Sequence, residues 1–173
     1  MPWELAGQTQ TTIAATLNSQ SSALQTLNLA PLAPGIFSMN SQGSGQGAIL
    51  DASYHLVDSS NPAAAGDTIE IFCTGLGPVT NQPATGSPAS GTSVSWTSVT
   101  PTVTIGGAPA LVTFSGLAPG YVGLYQVNAQ VPAGLAINNE VPVAISMGST
   151  LATKKAPLSD SAKPSQERQH WLG

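Results

Sequence analysis

Strict alternation of apolar and polar side chains marks the segment 116–132, which reads GLAPGYVGLYQVNAQVP. Its second half puts four apolar residues on one side of an extended chain and three amides on the other: Tyr125, Val127, Ala129 and Val131 against Gln126, Asn128 and Gln130. A period of two over this length is typical of a β-strand with one buried face. The Pro and Gly residues of its first half lead the chain into that strand, so we predict that this strand is central to the fold.

Other strand-like segments follow one another along the chain, separated by turns rich in Gly, Pro, Asn and Ser. They cover positions 11–17, 23–30, 47–50, 54–57, 68–74, 102–105, 110–114, 141–147 and 151–153. No segment combines a 3.6-residue apolar period with helix caps. Short strands at this spacing predict an all-β, immunoglobulin-like β-sandwich with an extra N-terminal β-hairpin. The Cys–Trp–Cys core of antibody domains is absent, which excludes that subtype.

The apolar phase of the strongest strands also predicts the core. The expected core residues alternate along four segments: Ile69, Ile71, Cys73, Val103, Ile105, Val112, Phe114, Tyr125, Val127 and Ala129. Three regions follow from the pattern: residues 1–33 as a partial repeat or added strands, residues 34–153 as the sandwich, and residues 154–173 as a flexible polar tail.

Charge is scarce and unevenly distributed. Charged residues make up 7% of the 173 residues, against about 25% in an average soluble domain. All four Lys and Arg residues lie at or after position 154, and the preceding part carries six carboxylates and no cation. Because such a body cannot neutralise phosphates, we expect no nucleic-acid partner. A polar but nearly uncharged surface is a pattern that we associate with secreted bacterial β-modules.

The sequence offers few signals about its compartment. Cys73 is the single cysteine, so no disulfide can form within the chain, and its alternating position predicts a small buried apolar side chain. No stretch approaches the roughly 20 apolar residues of a membrane span. The first residues, MPWELAGQ, lack the basic and apolar regions of a signal peptide. We expect an extracellular or cell-surface protein whose export signal lies outside this chain.

Residues with catalytic or ligand chemistry are sparse, and we predict neither an enzyme nor a cofactor. His55 with Asp51 or Asp58 and a serine could be imagined as a triad, but no GxSxG motif supports it. Calcium could be bound by Asp58, Asp67 and Glu70, yet no DxDxDG loop is present. Loop carboxylates near Gly and Asn more often accept hydrogen bonds from local backbone N–H groups.

The one weak ligand-binding candidate is Trp96, which lies near the end of a long polar loop, 79–98. An exposed indole there could stack on a sugar ring, whereas an indole folded back would cap the sandwich, which is the expectation that we favour. Polysaccharide is therefore a conceivable partner. The row Gln126, Asn128 and Gln130 predicts a polar ladder between strands rather than a binding face.

Several ordered motifs resemble a known family. They are PWELAGQ (2–8), APGIF (33–37), GQGAIL (45–50), NPAAAGD (61–67), CTGLGPV (73–79), TVTIGGAPA (102–110) and the segment 116–132. Together they are similar to the uncharacterised C-terminal domain family described from Solibacter proteins, over about residues 1–153. The resemblance implies a β-rich module at the C-terminal end of large secreted or surface proteins. It implies no activity and no catalytic residues.

A faint internal repeat links the two ends of the sequence. Without gaps, residues 1–30 aligned with 131–160 pair Leu5 with Leu135, and the apolar pattern agrees elsewhere, as in Leu17 with Met147. Residues 1–33 could thus be the closing hairpin of a preceding module whose earlier strands are missing. The interpretation that we favour from sequence is simpler: these residues add ordinary strands to the same sandwich.

These observations predict a non-enzymatic, extracellular structural or adhesive module. An orphan hairpin would leave an unpaired edge, and such edges recruit strands from other chains, so self-association by strand addition or head-to-tail assembly is expected. The alternative prediction is a carbohydrate-binding accessory domain of a secreted protein.

Overall fold

A computed structural model describes residues 2–136 and 138–159. Within these ranges the chain is nearly all β, and its one helical element is a short 3₁₀ helix, Trp3–Leu5. The strands are β1 (Gln10–Ile13), β2 (Thr16–Leu17), β3 (Gln20–Ser21), β4 (Gln25–Asn28), β5 (Gly35–Ile36), β6 (Ile49–Asp51), β7 (Ala63–Ala64), β8 (Thr68–Thr74), β9 (Thr102–Ile105), β10 (Ala108–Leu117), β11 (Tyr125–Gln130), β12 (Val141–Met147), β13 (Thr150–Ala156) and β14 (Leu158–Ser159).

One antiparallel sheet organises most of these strands. Its order is β13-β12-β9-β10-β11-β8-β5, and β6 also pairs with β8. The strand predicted from its alternating side chains, β11, is hydrogen-bonded on both sides, to β10 and to β8. Its central position explains the strict alternation, because one face packs on the core while the other carries the amide row.

The two ends of this sheet approach each other. The backbone N–H of Gly47 donates to the carbonyl of Lys155 at 3.0 Å, and the N–H of Lys155 donates to the carbonyl of Gly45 at 3.3 Å. These bonds join β13 to the segment that follows β5, and β14 runs parallel to β7 beside them. The result is a sandwich-like, nearly closed barrel, which confirms the predicted all-β sandwich class.

The interior is built almost entirely from aliphatic side chains. Eight of the ten predicted core residues are buried: Ile69, Ile71, Cys73, Val103, Ile105, Tyr125, Val127 and Ala129. β12 adds four further buried residues, Val141, Val143, Ile145 and Met147. The core therefore draws on strands from both ends of the sequence, and β12 closes it.

Two of the predicted core residues lie elsewhere. Val112 is only partly buried at the margin of the core, and Phe114 is half-buried on the opposite face of the sheet, in register with Asn128. The pairing of β10 with β11 shifts by one residue between Val112 and Phe114, as in a β-bulge. A bulge changes which face the following side chains occupy, so the alternation expected through 110–114 was wrong at Phe114.

The predicted boundary of the C-terminal tail was also wrong. β13 continues through Ala156, and Leu158 belongs to β14. Lys154 lies on the same face as the buried Ala152 and Ala156 and is partly buried, whereas Lys155 lies on the opposite, exposed face, so two adjacent cations mask an ordinary strand pattern. The rest of the predicted tail, 160–173, lies outside the described residues.

The long loop 79–98 packs against the sheet. Val79 bridges to Thr97, and the hydroxyl of Thr97 bonds that of Ser115 at 2.9 Å in a buried position. Ala89, within the loop, is buried and bridges to Pro119. The loop is thus packed as part of the sandwich, and Trp96 lies near the C-terminal end of the loop.

The N-terminal strands do not join the sandwich. Among residues 2–136 and 138–159, β1 pairs only with β4, and β2 only with β3, so residues 10–28 form a separate hairpin. The interpretation favoured from the sequence, in which these residues extend the same sandwich, is therefore wrong. A two-stranded hairpin lacks a second layer, so it cannot bury its own apolar face.

Candidate functional site

The N-terminal hairpin, residues 10–28, exposes an apolar row. Ile13 and Leu17 lie two alternations apart on the first arm, and Leu27 is paired with Thr11 across the hairpin. Cross-strand partners face the same side, so Ile13 and Leu27 share one face, and the even spacing of Leu17 from Ile13 predicts the same face for Leu17 beyond the break at residues 14–15. Ile13 is 53% exposed, Leu17 77% and Leu27 40%. Aliphatic side chains at such regular spacing are normally covered.

The hairpin also has two open edges. Within the described residues, neither β1 nor β4 hydrogen-bonds to a further strand. Natural edge strands are commonly protected by charged side chains or by proline. Residues 5–50 contain no Asp, Glu, Lys, Arg or His, and residues 10–28 contain no Pro. This hairpin is therefore suited to strand addition by another polypeptide.

The base of the hairpin is anchored to the sandwich through two glycines. The N–H of Ala33 donates to the carbonyl of Gly75 at 2.9 Å. A Cβ at Gly75 would lie 1.9 Å from the carbonyl oxygen of Ala33, and one at Gly77 would lie 2.7 Å from Leu32. Both glycines also have positive φ. The CTGLG motif thus allows the backbone of 31–34 to lie against the end of β8.

A second contact holds the segment before the hairpin. The N–H of Trp3 donates to the hydroxyl of Thr85 at 3.1 Å, and that hydroxyl donates to the carboxylate of Glu4 at 2.8 Å. Backbone and Thr85 hydrogen bonds lower the pKa of Glu4. The segments before and after the hairpin are both attached to the sandwich, so the hairpin extends from a defined base.

Trp96, the predicted ligand candidate, is on the surface. It is 47% exposed, and its ring meets that of Phe114 edge-on, with centroids 4.9 Å apart and planes at 68°. The indole is thus packed on Phe114 of the sheet and half-exposed, which is intermediate between the two arrangements considered from the sequence. A tilted Trp–Phe pair leaves part of the indole available to a ligand.

A shallow groove of about 460 Å³ lies elsewhere on the surface, beside the end of β11. Its lining includes Pro109, Leu111 and Pro132, but not Trp96. The lining has neither a charged side chain nor a histidine. The groove therefore offers shape without the convergent polar groups of a specific small-molecule site.

The amide row forms internal contacts. The side-chain amide of Gln126 donates to that of Asn128 at 2.8 Å, and Gln130 donates to the carbonyl of Gly66 at 3.1 Å. The first bond lies within β11 and the second reaches a loop carbonyl, so these bonds differ from the ladder between strands that the sequence predicted.

Two of the three acidic residues considered as calcium ligands, Asp58 and Asp67, accept hydrogen bonds that order turns. Asp58 accepts hydrogen bonds from the N–H groups of Ser60 and Asn61, and bonds to Ser60 lower its pKa. Asp67 accepts from the N–H of Ala64 at 2.9 Å. Among the described residues, no group of three or more His, Cys, Asp or Glu side chains could hold a metal ion. The structure does not bring Asp58, Asp67 and Glu70 together.

Glu70 is the exception, because it is buried on the sheet. One of its carboxylate oxygens, Oε2, has no hydrogen-bond partner in the part of the chain that the structure describes. Burial raises the pKa of Glu70, and the nearby Asp51 raises it further. Asp51 itself accepts from the N–H of Ser53 and the side chain of Asn61. A buried carboxylate with one unsatisfied oxygen destabilises the fold when it is ionised.

Two titratable groups lie in the core. Burial raises the pKa of Cys73 to about 12. Burial and the neighbouring Cys73 raise the pKa of Tyr125 to about 12, and its hydroxyl donates to the carbonyl of Gly77. A thiol with such a pKa is protonated at neutral pH and is a poor nucleophile.

No model of a known protein family, no curated protein and no solved structure matches this chain. The resemblance to the Solibacter C-terminal domain family stays a prediction. Within the described ranges, the chain has no helix of the length and apolarity needed to cross a bilayer.

A separate N-terminal hairpin with an open edge was the alternative interpretation of the sequence and not the favoured one, although two signals supported it. The alternating pattern of 11–17 predicts a strand with one apolar face, and neither arm of the hairpin contains a charged residue. An apolar face and uncharged arms together indicate a surface that contacts another polypeptide rather than solvent.

Proposed function

We propose that this chain is a non-enzymatic, extracellular structural or adhesive β-sandwich module that self-associates through its N-terminal hairpin. The observation that carries the proposal is the exposed row of Ile13, Leu17 and Leu27 on a hairpin with open edges. The main sheet, in contrast, nearly closes on itself through Gly47 and Lys155. Strand addition is therefore directed to the hairpin.

Burial of this row supplies a driving force. Complete burial of an aliphatic side chain contributes about 1.5 to 3 kcal/mol, and these three are already partly covered. New backbone hydrogen bonds along an open edge add register and direction. The hairpin is uncharged, so no like-charge repulsion opposes the approach of a second copy.

The extracellular assignment is supported by the surface chemistry. Ser, Thr, Asn, Gln and Gly replace most of the charged residues of a typical soluble domain. The resemblance to modules of secreted proteins points in the same direction.

Light scattering coupled to size exclusion tests the proposed self-association. The wild-type chain should increase in mass with concentration, and the double variant Ile13→Thr/Leu17→Thr should stay monomeric, since it lacks the apolar row. Leu151→Thr is the matched control, because Leu151 is also exposed, at 64%, but lies on β13. A wild type that is monomeric at every concentration, or an equal effect of Leu151→Thr, would contradict the proposal.

Salt dependence separates apolar from electrostatic association. Charged interfaces weaken as salt rises, because screening acts over about 10 Å at 0.1 M ionic strength. The hairpin carries no charge, so its association should persist or strengthen in high salt. A loss of association on adding sodium chloride would indicate a charged surface instead.

The second candidate function is carbohydrate binding, which the half-exposed indole of Trp96 favours. A retention assay on insoluble polysaccharides compares wild type with Trp96→Ala. Tyr121→Ala is the control, because Tyr121 is another exposed aromatic residue. Retention that is lost only in Trp96→Ala supports a sugar site, whereas equal or absent retention removes this candidate.

A further inference from the structure

Among the described residues, three hairpins have two-residue turns, at 18–19, 106–107 and 148–149, and the first and the last of these also share an apolar pattern. In the N-terminal hairpin, Thr16 pairs with Ser21 and Leu17 with Gln20. In the hairpin of β12 and β13, Met147 pairs with Thr150, and the preceding residues pair in the same way. The two tips are related by a displacement of 130 positions, so each has a two-residue turn at the same place.

The apolar faces of the two hairpins also correspond. Ile13 and Leu17 align with Val143 and Met147 at this displacement. On the second arms, Leu27 pairs with Thr11 as Ala156 pairs with Val141. At the base of the N-terminal hairpin, the pairing is shifted by one residue relative to the tip, as in a β-bulge. The match of Leu27 with Ala156 allows for this shift.

Burial is what distinguishes the two hairpins. Val143 and Ala156 are fully buried and Met147 is 2% exposed, whereas their counterparts on the N-terminal hairpin face solvent. β12 covers the core by pairing with β9, with Val143 opposite Ile105 and Ile145 opposite Val103. β13 then meets the segment after β5. The hairpin of β12 and β13, here called the closing hairpin, therefore shows how the apolar face of such a hairpin is buried.

From this correspondence we infer that the N-terminal hairpin is a donor element that completes the sheet of a second β-sandwich of this architecture. Its partner presents an uncovered edge like β9, with a Thr-Val-Thr-Ile alternation, above an apolar interior. β1 and β2 lie along that edge as β12 does, with Ile13 opposite the counterpart of Ile105. Ile13, Leu17 and Leu27 enter the partner's core. This inference deepens the proposed function and rests on it, but it names the partner surface.

Complementation between two full-length copies tests the donor role. The acceptor carries Ile145→Asp, which puts a carboxylate at a fully buried position and releases its own closing hairpin. It also carries Ile13→Asp and Leu17→Asp, so that it can only accept. The donor is either the wild-type chain or a chain with Ile13→Asp/Leu17→Asp.

Coexpression with the wild-type donor should raise the yield of soluble acceptor about tenfold, because binding stabilises the folded form. The two chains should copurify in equal amounts, and the substituted donor should give no rescue. Absence of rescue by the wild type, or equal rescue by both donors, overturns the inference.

A hairpin exchange within one chain provides the second arm. Positions 141–156 of the full-length chain are replaced by residues 11–27, and a matched exchange carries Thr in place of Ile13, Leu17 and Leu27. The first chimera should unfold in one cooperative thermal transition, and the second should not fold. An unfolded first chimera, or equal folding of both, also overturns the inference.

The outcomes separate the inference from the proposed function. Self-association of the wild type needs only the exposed hairpin, whereas complementation also needs an uncovered β9 edge. If association depends on the hairpin but complementation fails, the proposed function is retained and a partner with an uncovered β9 edge is excluded.

Discussion

At the scale of single residues, the most consequential side chain is Glu70. It is 7% exposed, its Oε2 is unsatisfied, and burial followed by the charge of Asp51 raises its pKa. Sequence reasoning treated it as a possible calcium ligand, because the sequence does not show that its face of β8 is covered. Its environment instead disfavours the ionised form.

Glu70→Gln should stabilise the fold at neutral pH by about 1 kcal/mol, because the neutral amide avoids the desolvation of a charge. In the wild type, protonation favours the folded state. Stability should therefore fall as pH rises from the ordinary pKa of 4.5 through the raised folded-state pKa. Urea unfolding as a function of pH measures both effects.

Glu140→Gln is the control for that experiment, since Glu140 is exposed and forms a surface ion pair with Lys155 at 3.0 Å. Its effect should stay within about 1 kcal/mol. A Glu70→Gln chain that is less stable than wild type at neutral pH would show that the carboxylate has a favourable partner.

Gly75 is the residue on which the base of the hairpin depends. Gly75→Ala should destabilise the protein by at least about 2 kcal/mol, because its Cβ would overlap the carbonyl of Ala33 at a positive φ. Gly66→Ala is the matched control: its φ is +88° with nothing within 4 Å, so only backbone strain of about 1 to 2 kcal/mol remains. Equal losses in thermal unfolding would contradict the close approach.

At the scale of elements, the two similar hairpins provide an internal comparison. The same local pattern forms an uncovered hairpin at 10–28 and a buried one at β12 and β13. Strand periodicity specifies which side chains share a face, but it does not specify what packs against that face.

Matched substitutions should show this difference. Ile13→Thr should change the free energy of unfolding of the monomer by no more than about 0.5 kcal/mol, because Ile13 faces solvent. Val143→Thr should cost about 2 kcal/mol or more, because it buries a hydroxyl in the core. Chemical denaturation at low concentration, where association is minimal, provides the measurement. Similar losses for both would mean that the N-terminal hairpin packs against its own sandwich.

At the scale of the whole molecule, Cys73 reports on the integrity of the sandwich. It lies on β8, which pairs with β11 on one side and with β5 and β6 on the other, is fully buried, and has a pKa raised to about 12. The native protein should therefore leave a thiol reagent almost unreacted at pH 8, and the denatured protein should react at one thiol. Fast native labelling would indicate that the sheet opens around β8.

Ser19→Cys is the positive control for that experiment, because it adds a thiol at the exposed turn of the N-terminal hairpin. This variant should label at one site in the native state. A difference between the two positions would show that the sandwich is closed while the hairpin is accessible.

The sequence alone determined the all-β class, the central strand and most of the core, because alternation over several residues is a local property of one strand. It also determined the scarcity of charge, from which we predict that nucleic acid is not a partner. Tertiary structure decided the features that depend on a neighbour. A bulge moved Phe114 to the outer face, pairing with β12 drew Lys154 and Lys155 into a strand, and the lack of a second layer left Ile13 and Leu17 exposed. Side-chain phase is encoded locally, whereas burial needs a second surface that only the folded chain or its partner supplies.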